Sequence, residues 1–248
     1  MVGDTSLDEV KTVLEDEFGK WQAKGSKGIK QIAQANLPEQ GRTVIIDRPG
    51  SQQSLILAAH LAPPTGIDNN IAIETMNQTL GGAFTARVNM NLREDKGWAY
   101  GAYTFLQDAR GQRPFMVYAP VQTDKTGASL VELKKELNSY LGDKPPMPDE
   151  LERARLDQVR SLPGQYETST AVLGSLLSSS RFNRPYNYPE TLVEQYNVLT
   201  LDDLEKAAAQ VVMPGKLTWL IIGDAEKIKK EVEAAGVGPV SVQSMSSL

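Results

Sequence analysis

An alternation of apolar residues near the middle of the chain is the strongest constraint on its fold. Phe115, Val117, Ala119 and Val121 occupy every second position. A period of two places all four side chains on one face of a β-strand. Because that face needs an apolar partner layer, the repeat predicts a sheet that is covered by helices.

Other segments supply the remaining strands of this sheet. They are rich in Val, Ile, Leu or aromatic residues and span 42–47, 53–61, 98–106 and 217–222. The turn residues Arg48-Pro49-Gly50 separate the first two segments, and the 98–106 strand would carry Tyr100. The predicted fold class is α+β, a mainly antiparallel sheet with helices packed mostly on one face.

Most of the chain between these strands has apolar residues at the three- and four-residue spacing that predicts helices. Leu130, Leu133, Leu137 and Leu141 mark an amphipathic helix over 126–141. Thr200 and Asp203 form a capping-box pattern before a helix over 201–212, and a further helix is predicted over 71–80. The pair Gly81-Gly82 is expected to end that helix by supplying a positive φ.

The two ends of the chain resemble each other. Leu-Ile-Ile-Gly-Asp at 220–224 precedes a helical segment, as Met-Val-Gly-Asp at 1–4 precedes the helical 6–18. This repetition predicts that the chain begins with the last strand and helix of a preceding homologous repeat. The predicted organisation is therefore a tail over 1–24, a linker over 25–41 and a domain over 42–248.

Composition excludes several classes of function. The chain contains no cysteine, which removes disulfides, thiolate catalysis and thiolate metal ligands. Its single histidine, His60, is predicted to be a packed strand residue, and one histidine cannot build a catalytic zinc site. A net charge of -5 without long basic runs argues against nucleic acid, and no apolar run is long enough for membrane insertion.

The N-terminal segment MVGDTSLDEVK lacks the basic and apolar regions of a signal peptide. We therefore expect no export signal within this chain. The compartment is left open between the bacterial periplasm and the cytoplasm.

By elimination, the chemistry of this chain is expected to use arginine or tyrosine as binding and charge-stabilising groups. The stretch 80–103, LGGAFTARVNMNLREDKGWAYGAY, places Arg93 seven residues before Tyr100. The alternative to a functional pair is that Arg93 is a solvated residue at a helix end and Tyr100 a half-buried packing residue of a strand.

This stretch resembles the second, metal-free half of the zinc metallopeptidases of the pitrilysin, insulinase and mitochondrial processing peptidase superfamily. The resemblance rests on Leu80-Gly81-Gly82, Ala86-Arg87-Val88, Leu92-Arg93-Glu94, Gly97 and Ala99-Tyr100. Ala86 and Val88 replace the serine and leucine that are usual there. Both replacements are interpreted as packing changes.

The resemblance implies the C-terminal half or subunit of a zinc-dependent endopeptidase. Arg93 and Tyr100 would bind substrate and stabilise the transition state, while this chain supplies no catalytic nucleophile and no metal ligand. The implied partners are a zinc-bearing homologous half or subunit and a peptide substrate. The chain alone is expected to be inactive, because the zinc motif lies in the other half.

Two other hypotheses stay open at this stage. The chain could be a noncatalytic scaffold, like the core subunits of the respiratory bc complex that share this fold. It could also be a peptide-binding module that adds a strand to an open sheet edge. A homodimer is a further arrangement that the sequence leaves open.

Overall fold

The computed structural model describes residues 1–244, so the last four residues of the predicted 42–248 domain lie outside the described residues. The described part folds around a six-stranded sheet with the order β3-β4-β2-β5-β1-β6. The strands are β1 (Arg42–Asp47), β2 (Gln53–Ala62), β3 (Tyr103–Leu106), β4 (Arg113–Gln122), β5 (Thr218–Gly223) and β6 (Val240–Ser244).

Strand direction changes across the sheet. The neighbours β3-β4, β4-β2 and β2-β5 are antiparallel, whereas β1 runs parallel to both β5 and β6. Within residues 1–244 the sheet is therefore mainly antiparallel, as predicted. The edge strand β6 was not among the predicted strands.

Helices and short turns make up most of the remaining structure in the described range. The helices are α1 (Leu7–Phe18), α2 (Asn70–Asn77), α3 (Arg87–Asn89), α4 (Thr126–Leu141), α5 (Pro148–Ser161), α6 (Ser169–Phe182), α7 (Tyr188–Asn197), α8 (Leu201–Val211) and α9 (Ala225–Ala234). Two π-helical turns, Gln78–Gly82 and Met90–Asp95, directly follow α2 and α3. No helix within residues 1–244 is both long enough and apolar enough to cross a bilayer.

The main core lies on one face of the sheet. Every second residue of β2, β4 and β5 is buried, while the residues between them are partly exposed. The buried face packs against apolar side chains of the helices, including Ile73 of α2, Leu133 of α4, Leu204 of α8 and Ile228 of α9. This arrangement confirms the predicted α+β class with helices mostly on one face.

The helix α4 has the predicted bounds but a slightly different buried face. Leu130, Leu133 and Leu137 are buried, whereas Leu141 is 40% exposed. Tyr140 takes the expected place of Leu141 in the core, and its hydroxyl contacts the Thr79 hydroxyl at 2.6 Å. At about 100° per residue, positions 140 and 141 lie at similar angles on either side of the centre of the buried stripe, so the spacing alone does not decide which of the two is buried.

The prediction of a strand over 98–106 was wrong at its N-terminal end, because β3 begins only at Tyr103. Before that residue the chain makes a single bridge to β4, between Ala99 and Val121. The amide of Ala102 binds the Asn89 side chain at 3.1 Å and makes no ladder bond. Tyr100 therefore lies on a loop beside the sheet.

The expected role of Gly81-Gly82 was also wrong, since neither glycine has a positive φ. Both lie in the π-helical turn after α2 and are needed for close packing. A Cβ on Gly81 would stand 2.6 Å from the Thr104 backbone nitrogen, and one on Gly82 would stand 2.8 Å from the Asn77 side chain. The pair thus lets the end of α2 pack directly against β3.

The N-terminal helix α1 lies apart from this core. Its capping box on Ser6 and Glu9 is formed, yet none of its residues is buried. Leu7 is 81% exposed and Phe18 is 63% exposed. The following segment 25–41 contains no helix or strand. Side-chain hydrogen bonds join it to the domain between Ala35 and Gln112 and between Glu39 and Lys216, and the Ile32 side chain lies against Gly111.

His60 is a buried residue of β2, as predicted, and its ring packs against Phe115 with 5.3 Å between centroids. Its Nδ1 lies 3.0 Å from the Leu61 carbonyl oxygen, and the Met213 amide donates to Nε2 at 3.3 Å. These partners assign the proton of the neutral ring to Nδ1. Burial lowers the pKa of His60, while the bond to Leu61 raises it by less.

This environment makes His60 a source of acid sensitivity. The unfolded chain binds a proton at about pH 6.5, whereas the folded protein resists protonation until a lower pH. The stability that neutral His60 contributes is therefore complete above about pH 6.5 and is lost as the pH falls through the folded pKa. When the pH is lowered from 8 to 5, we expect the urea midpoint of unfolding to fall less for His60→Gln than for the wild type. Parallel curves for the two proteins would contradict this assignment.

Candidate functional site

Arg93 lies in the π-helical turn Met90–Asp95, which continues α3. The turn ends in tight backbone contacts, since the Gly97 amide donates to the Arg93 carbonyl at 3.1 Å and the Trp98 amide to the Leu92 carbonyl at 2.9 Å. Leu92 anchors the turn in the core, and Gly97 has a φ of 65°. Arg93 is consequently in the last helical turn, as predicted, and the chain reverses directly after it.

The guanidinium of Arg93 lies between two aromatic rings. Its Cζ is 4.5 Å from the centroid of the Phe84 ring and 5.4 Å from that of Tyr100. Arginine stacks favourably on aromatic faces, which fixes the plane of its nitrogens. The structure thus brings the two predicted site residues together and adds Phe84; we refer to these three residues as the Arg93 cluster.

The Arg93 cluster is open to solvent. Tyr100 is 87% exposed and Phe84 is 51% exposed. The Arg93 Nε lies 3.2 Å from the Glu94 carboxylate, and its terminal nitrogens donate to no other residue within 1–244. The cluster therefore presents a positive charge, unused guanidinium donors and a phenol hydroxyl on one surface.

A buried side chain, Asn89 of α3, connects the two loops of this cluster. Its Nδ2 donates to the Phe84 carbonyl at 2.7 Å, and its Oδ1 accepts from the Ala102 amide at 3.1 Å. Asn89 is fully buried. The position of Phe84 relative to the Tyr100 loop consequently depends on one amide side chain.

Sequence reasoning missed both Phe84 and Asn89 as site residues. The four-residue spacing of Phe84, Val88 and Leu92 is typical of one apolar helix face, but α3 begins only at Arg87 and leaves Phe84 in the preceding loop. Asn89 offered a weak signal, because asparagine is a poor helix former whose amide binds nearby backbone groups. No pattern in the sequence showed which backbone groups those would be.

Arg87, part of the motif that carried the resemblance, has a structural role. Its Nε donates to Glu150 of α5 at 2.6 Å, its Nη2 donates to the Pro145 carbonyl at 2.8 Å, and its Nη1 donates to the Lys144 carbonyl. Its Cζ also lies 4.8 Å from the centroid of the Tyr140 ring. Arg87 thus fastens α3 to the loop between α4 and α5 and lies outside the Arg93 cluster.

The donor set of this chain does not fit zinc. His60 is held by Leu61 and Met213 inside the core, and cysteine is absent. Among residues 1–244 no three His, Asp or Glu side chains lie close enough together to hold a metal ion. Any zinc chemistry would have to use ligands of another chain or segment.

The sequence profile of the family described as peptidase M16 inactive domain matches residues 1–156, which is more than half of the chain. The chain belongs to this family. The match confirms the resemblance inferred from the 80–103 stretch and includes the whole Arg93 cluster. The description of this family is that of an inactive domain.

A curated relative supports the same family. An uncharacterized zinc protease of Mycobacterium leprae is 20% identical over 143 residues, which cover 58% of this chain and 32% of that protein.

Solved structures share the fold of this M16 inactive domain. A peptidase M16 inactive domain from Pseudomonas fluorescens matches with a TM-score of 0.77 and 23% identity over 89% of this chain and 52% of that chain. A chain of complex III2 from Candida albicans matches with a TM-score of 0.69 and 13% identity over 94% of this chain and 57% of that chain. The chain thus spans about half the length of these solved relatives.

The bridging role of Asn89 is testable through stability. In Asn89→Ala the Phe84 carbonyl and the Ala102 amide lose their partner, which should lower the free energy of unfolding by about 2–3 kcal/mol. Asn138→Ala is the matched control, because Asn138 is exposed and its loss should cost less than about 0.5 kcal/mol. Urea unfolding measures both values, and equal small losses would show that the bridge does not support the fold.

Proposed function

We propose that this M16 inactive domain is the half of a zinc-dependent endopeptidase that binds no zinc and that holds the substrate and stabilises the transition state. The observation that supports this proposal best is the Arg93 cluster. The Arg93 guanidinium, which has free donors, lies beside the exposed phenol of Tyr100 on the same surface. A merely solvated arginine would lack the two aromatic rings that orient the Arg93 guanidinium here.

The chemistry of the cluster suits a peptide bond. The Arg93 guanidinium offers several fixed N–H donors, which can bind the carbonyl oxygen of an extended peptide. The Tyr100 hydroxyl can donate to an oxyanion when a peptide carbonyl becomes tetrahedral. Phe84 holds the Arg93 plane in place, and its exposed ring adds apolar surface for a substrate side chain.

The zinc ion of such an enzyme would be bound by a homologous partner half, where it would activate the attacking water. Peptide cleavage then requires the Arg93 cluster to face that half across an interface. By itself the M16 inactive domain would bind no stoichiometric zinc and cleave no peptide.

We further propose that residues 1–24 dock on this partner half. In α9 the residues Ala225, Ile228 and Val232 are buried against α4 and β1. Leu7, Val10 and Leu14 repeat the same three- and four-residue spacing in α1, yet none of the three is buried in the structure of residues 1–244. A homologous half would offer α1 the kind of surface that α9 covers here.

The docking of α1 is testable by truncation. Removal of residues 1–24 should shift the thermal midpoint of this chain by less than about 2 °C, because no α1 residue is buried. The same truncation should weaken association with the zinc-bearing half, measured by calorimetry. Leu14→Asn should weaken association by about tenfold or more, whereas Asp16→Asn, on the opposite side of α1, should not. Equal affinities for the two variants would contradict the docking of α1.

A noncatalytic scaffold is the second candidate function. The observation that favours it is the fold itself, which this domain shares with a chain of complex III2 as well as with a peptidase inactive domain. The two candidates differ in what the Arg93 cluster must do. Only an enzyme half needs its free donors.

The assignment of Arg93 and Tyr100 is tested in the reconstituted enzyme, with the zinc-bearing half present. Tyr100→Phe removes one oxyanion donor and should lower kcat by about 100-fold or more, while Arg93→Ala should lower kcat/KM mainly through a higher KM. Tyr186→Phe and Arg160→Ala are matched controls, since both residues are exposed and lie outside the cluster. Full activity of both cluster variants would refute their role and favour the scaffold.

A further inference from the structure

A second polar site lies between α2, α5, α6 and α7. These helices enclose an open cleft of about 380 Å³, a volume within the range of small-molecule sites. None of the residues of the Arg93 cluster lines it. Its walls include two charged side chains, Glu74 of α2 and Arg184, which follows the C-terminus of α6.

Only one of the two carboxylate oxygens of Glu74 accepts a hydrogen bond within residues 1–244. Its Oε1 accepts from the Asn70 amide at 2.7 Å, and within residues 1–244 its Oε2 accepts no hydrogen bond. Burial raises the pKa of Glu74, an effect that the bond from Asn70 only partly offsets. A desolvated carboxylate of this kind gains most from a cation placed beside it.

The nearest core cation, Arg113, interacts with Glu74 electrostatically but forms no ion pair with it. Arg113 is fully buried, but its guanidinium is engaged by the Asn70 side chain at 2.7 Å, the Pro63 carbonyl at 3.0 Å and Asp108 at 3.2 Å. Asn70 thus accepts from Arg113 and donates to Glu74. This relay fixes the Glu74 carboxylate at the wall of the cleft and leaves its second oxygen free.

Arg184 is the complementary unpaired charge. Its Cζ lies 4.5 Å from the centroid of the Tyr188 ring and 5.4 Å from that of Phe182. Its guanidinium forms no ion pair and donates no side-chain hydrogen bond within residues 1–244. Aromatic stacking therefore orients the guanidinium fork while its donors stay available for a carboxylate.

The rest of the cleft offers room and apolar contact. The α6 wall consists of the small residues Ala171, Gly174, Ser175 and Ser178 at helical spacing. Opposite surfaces are formed by Ile71, Leu192 and the rings of Tyr166 and Tyr196. Aromatic faces beside a carboxylate favour an ammonium group, and the aliphatic side chains favour an apolar substituent.

We propose that this cleft binds a small zwitterion, an unblocked dipeptide or free amino acid, with its α-ammonium beside Glu74 and its α-carboxylate beside Arg184. The ligand would pair directly with both charges at once, whereas Glu74 and Arg184 interact electrostatically within residues 1–244 without forming an ion pair. This inference goes beyond the proposed function, because no residue of the Arg93 cluster takes part in it.

Binding is measured by calorimetry on this chain with leucyl-alanine as the probe, at up to about 10 mM. N-acetyl-leucyl-alanine lacks the ammonium, and leucyl-alanine amide lacks the carboxylate. Each blocked form should bind at least about tenfold more weakly than leucyl-alanine.

Two variants assign the two ends of the ligand. Glu74→Gln keeps the shape of the side chain and should bind leucyl-alanine and its N-acetyl form equally weakly, while still discriminating against the amide. Arg184→Gln should show the reverse pattern. Arg181→Gln is the matched control, because Arg181 stacks on the same Phe182 ring at 5.4 Å but does not line the cleft. Its ligand preferences should equal those of the wild type.

Several results would overturn the proposal. They are no binding of leucyl-alanine by the wild type, equal binding of all three compounds, or unchanged discrimination in both variants. If Glu74→Gln does not fold, which circular dichroism would show, Arg184→Gln decides alone, since Arg184 lies at the surface of the cleft. A loss of thermal stability in both variants without ligand discrimination would instead indicate that Glu74 and Arg184 pair with each other in solution.

Discussion

The surface that carries Arg93 depends on one buried amide, Asn89. Loops leave backbone groups without ladder or helix partners, and such groups are costly when they are buried. Asn89 satisfies one such group on each side of α3, the Phe84 carbonyl and the Ala102 amide. Because both bonds come from the same side chain, the loop before α3 and the loop after Arg93 are held in a fixed relation. The exposed residues on these loops can therefore be precise without being buried.

Much of the fold could be predicted from periodicity. The alternation in β4 and the leucine spacing of α4 report on which side of an element is buried. The alternation was interpreted correctly, and the leucine spacing identified three buried residues of α4 but not Tyr140. Contacts between residues that are far apart in the chain produce no such periodic pattern in the sequence. The prediction of a strand at Tyr100 was wrong because Ala102 binds Asn89. The role of the glycine pair was predicted wrongly because Gly81 packs against Thr104 of β3 and Gly82 against Asn77 of α2. The pair Arg93 and Tyr100 came from a motif, whereas their stacking required the three-dimensional structure.

Two helices with related spacing show why local sequence is not enough. In α9 the three apolar positions are buried, and in α1 the corresponding positions are largely exposed. In both helices the spacing predicts an apolar face that can pack against another apolar surface. It does not indicate whether that surface belongs to the same domain. The buried Arg113, which a sequence reader would place at the surface, illustrates the same limit for charged residues.

The stacking of Arg93 also has an entropic consequence. A free arginine side chain loses about 0.5–1.5 kcal/mol of conformational freedom when a ligand immobilises it. For Arg93 the ring of Phe84 has already imposed much of this loss during folding. The Tyr100 ring lies 5.4 Å from the same guanidinium, while most of the Tyr100 side chain stays exposed to solvent. Under the proposed function, a bound peptide would therefore meet a guanidinium whose freedom was already restricted during folding.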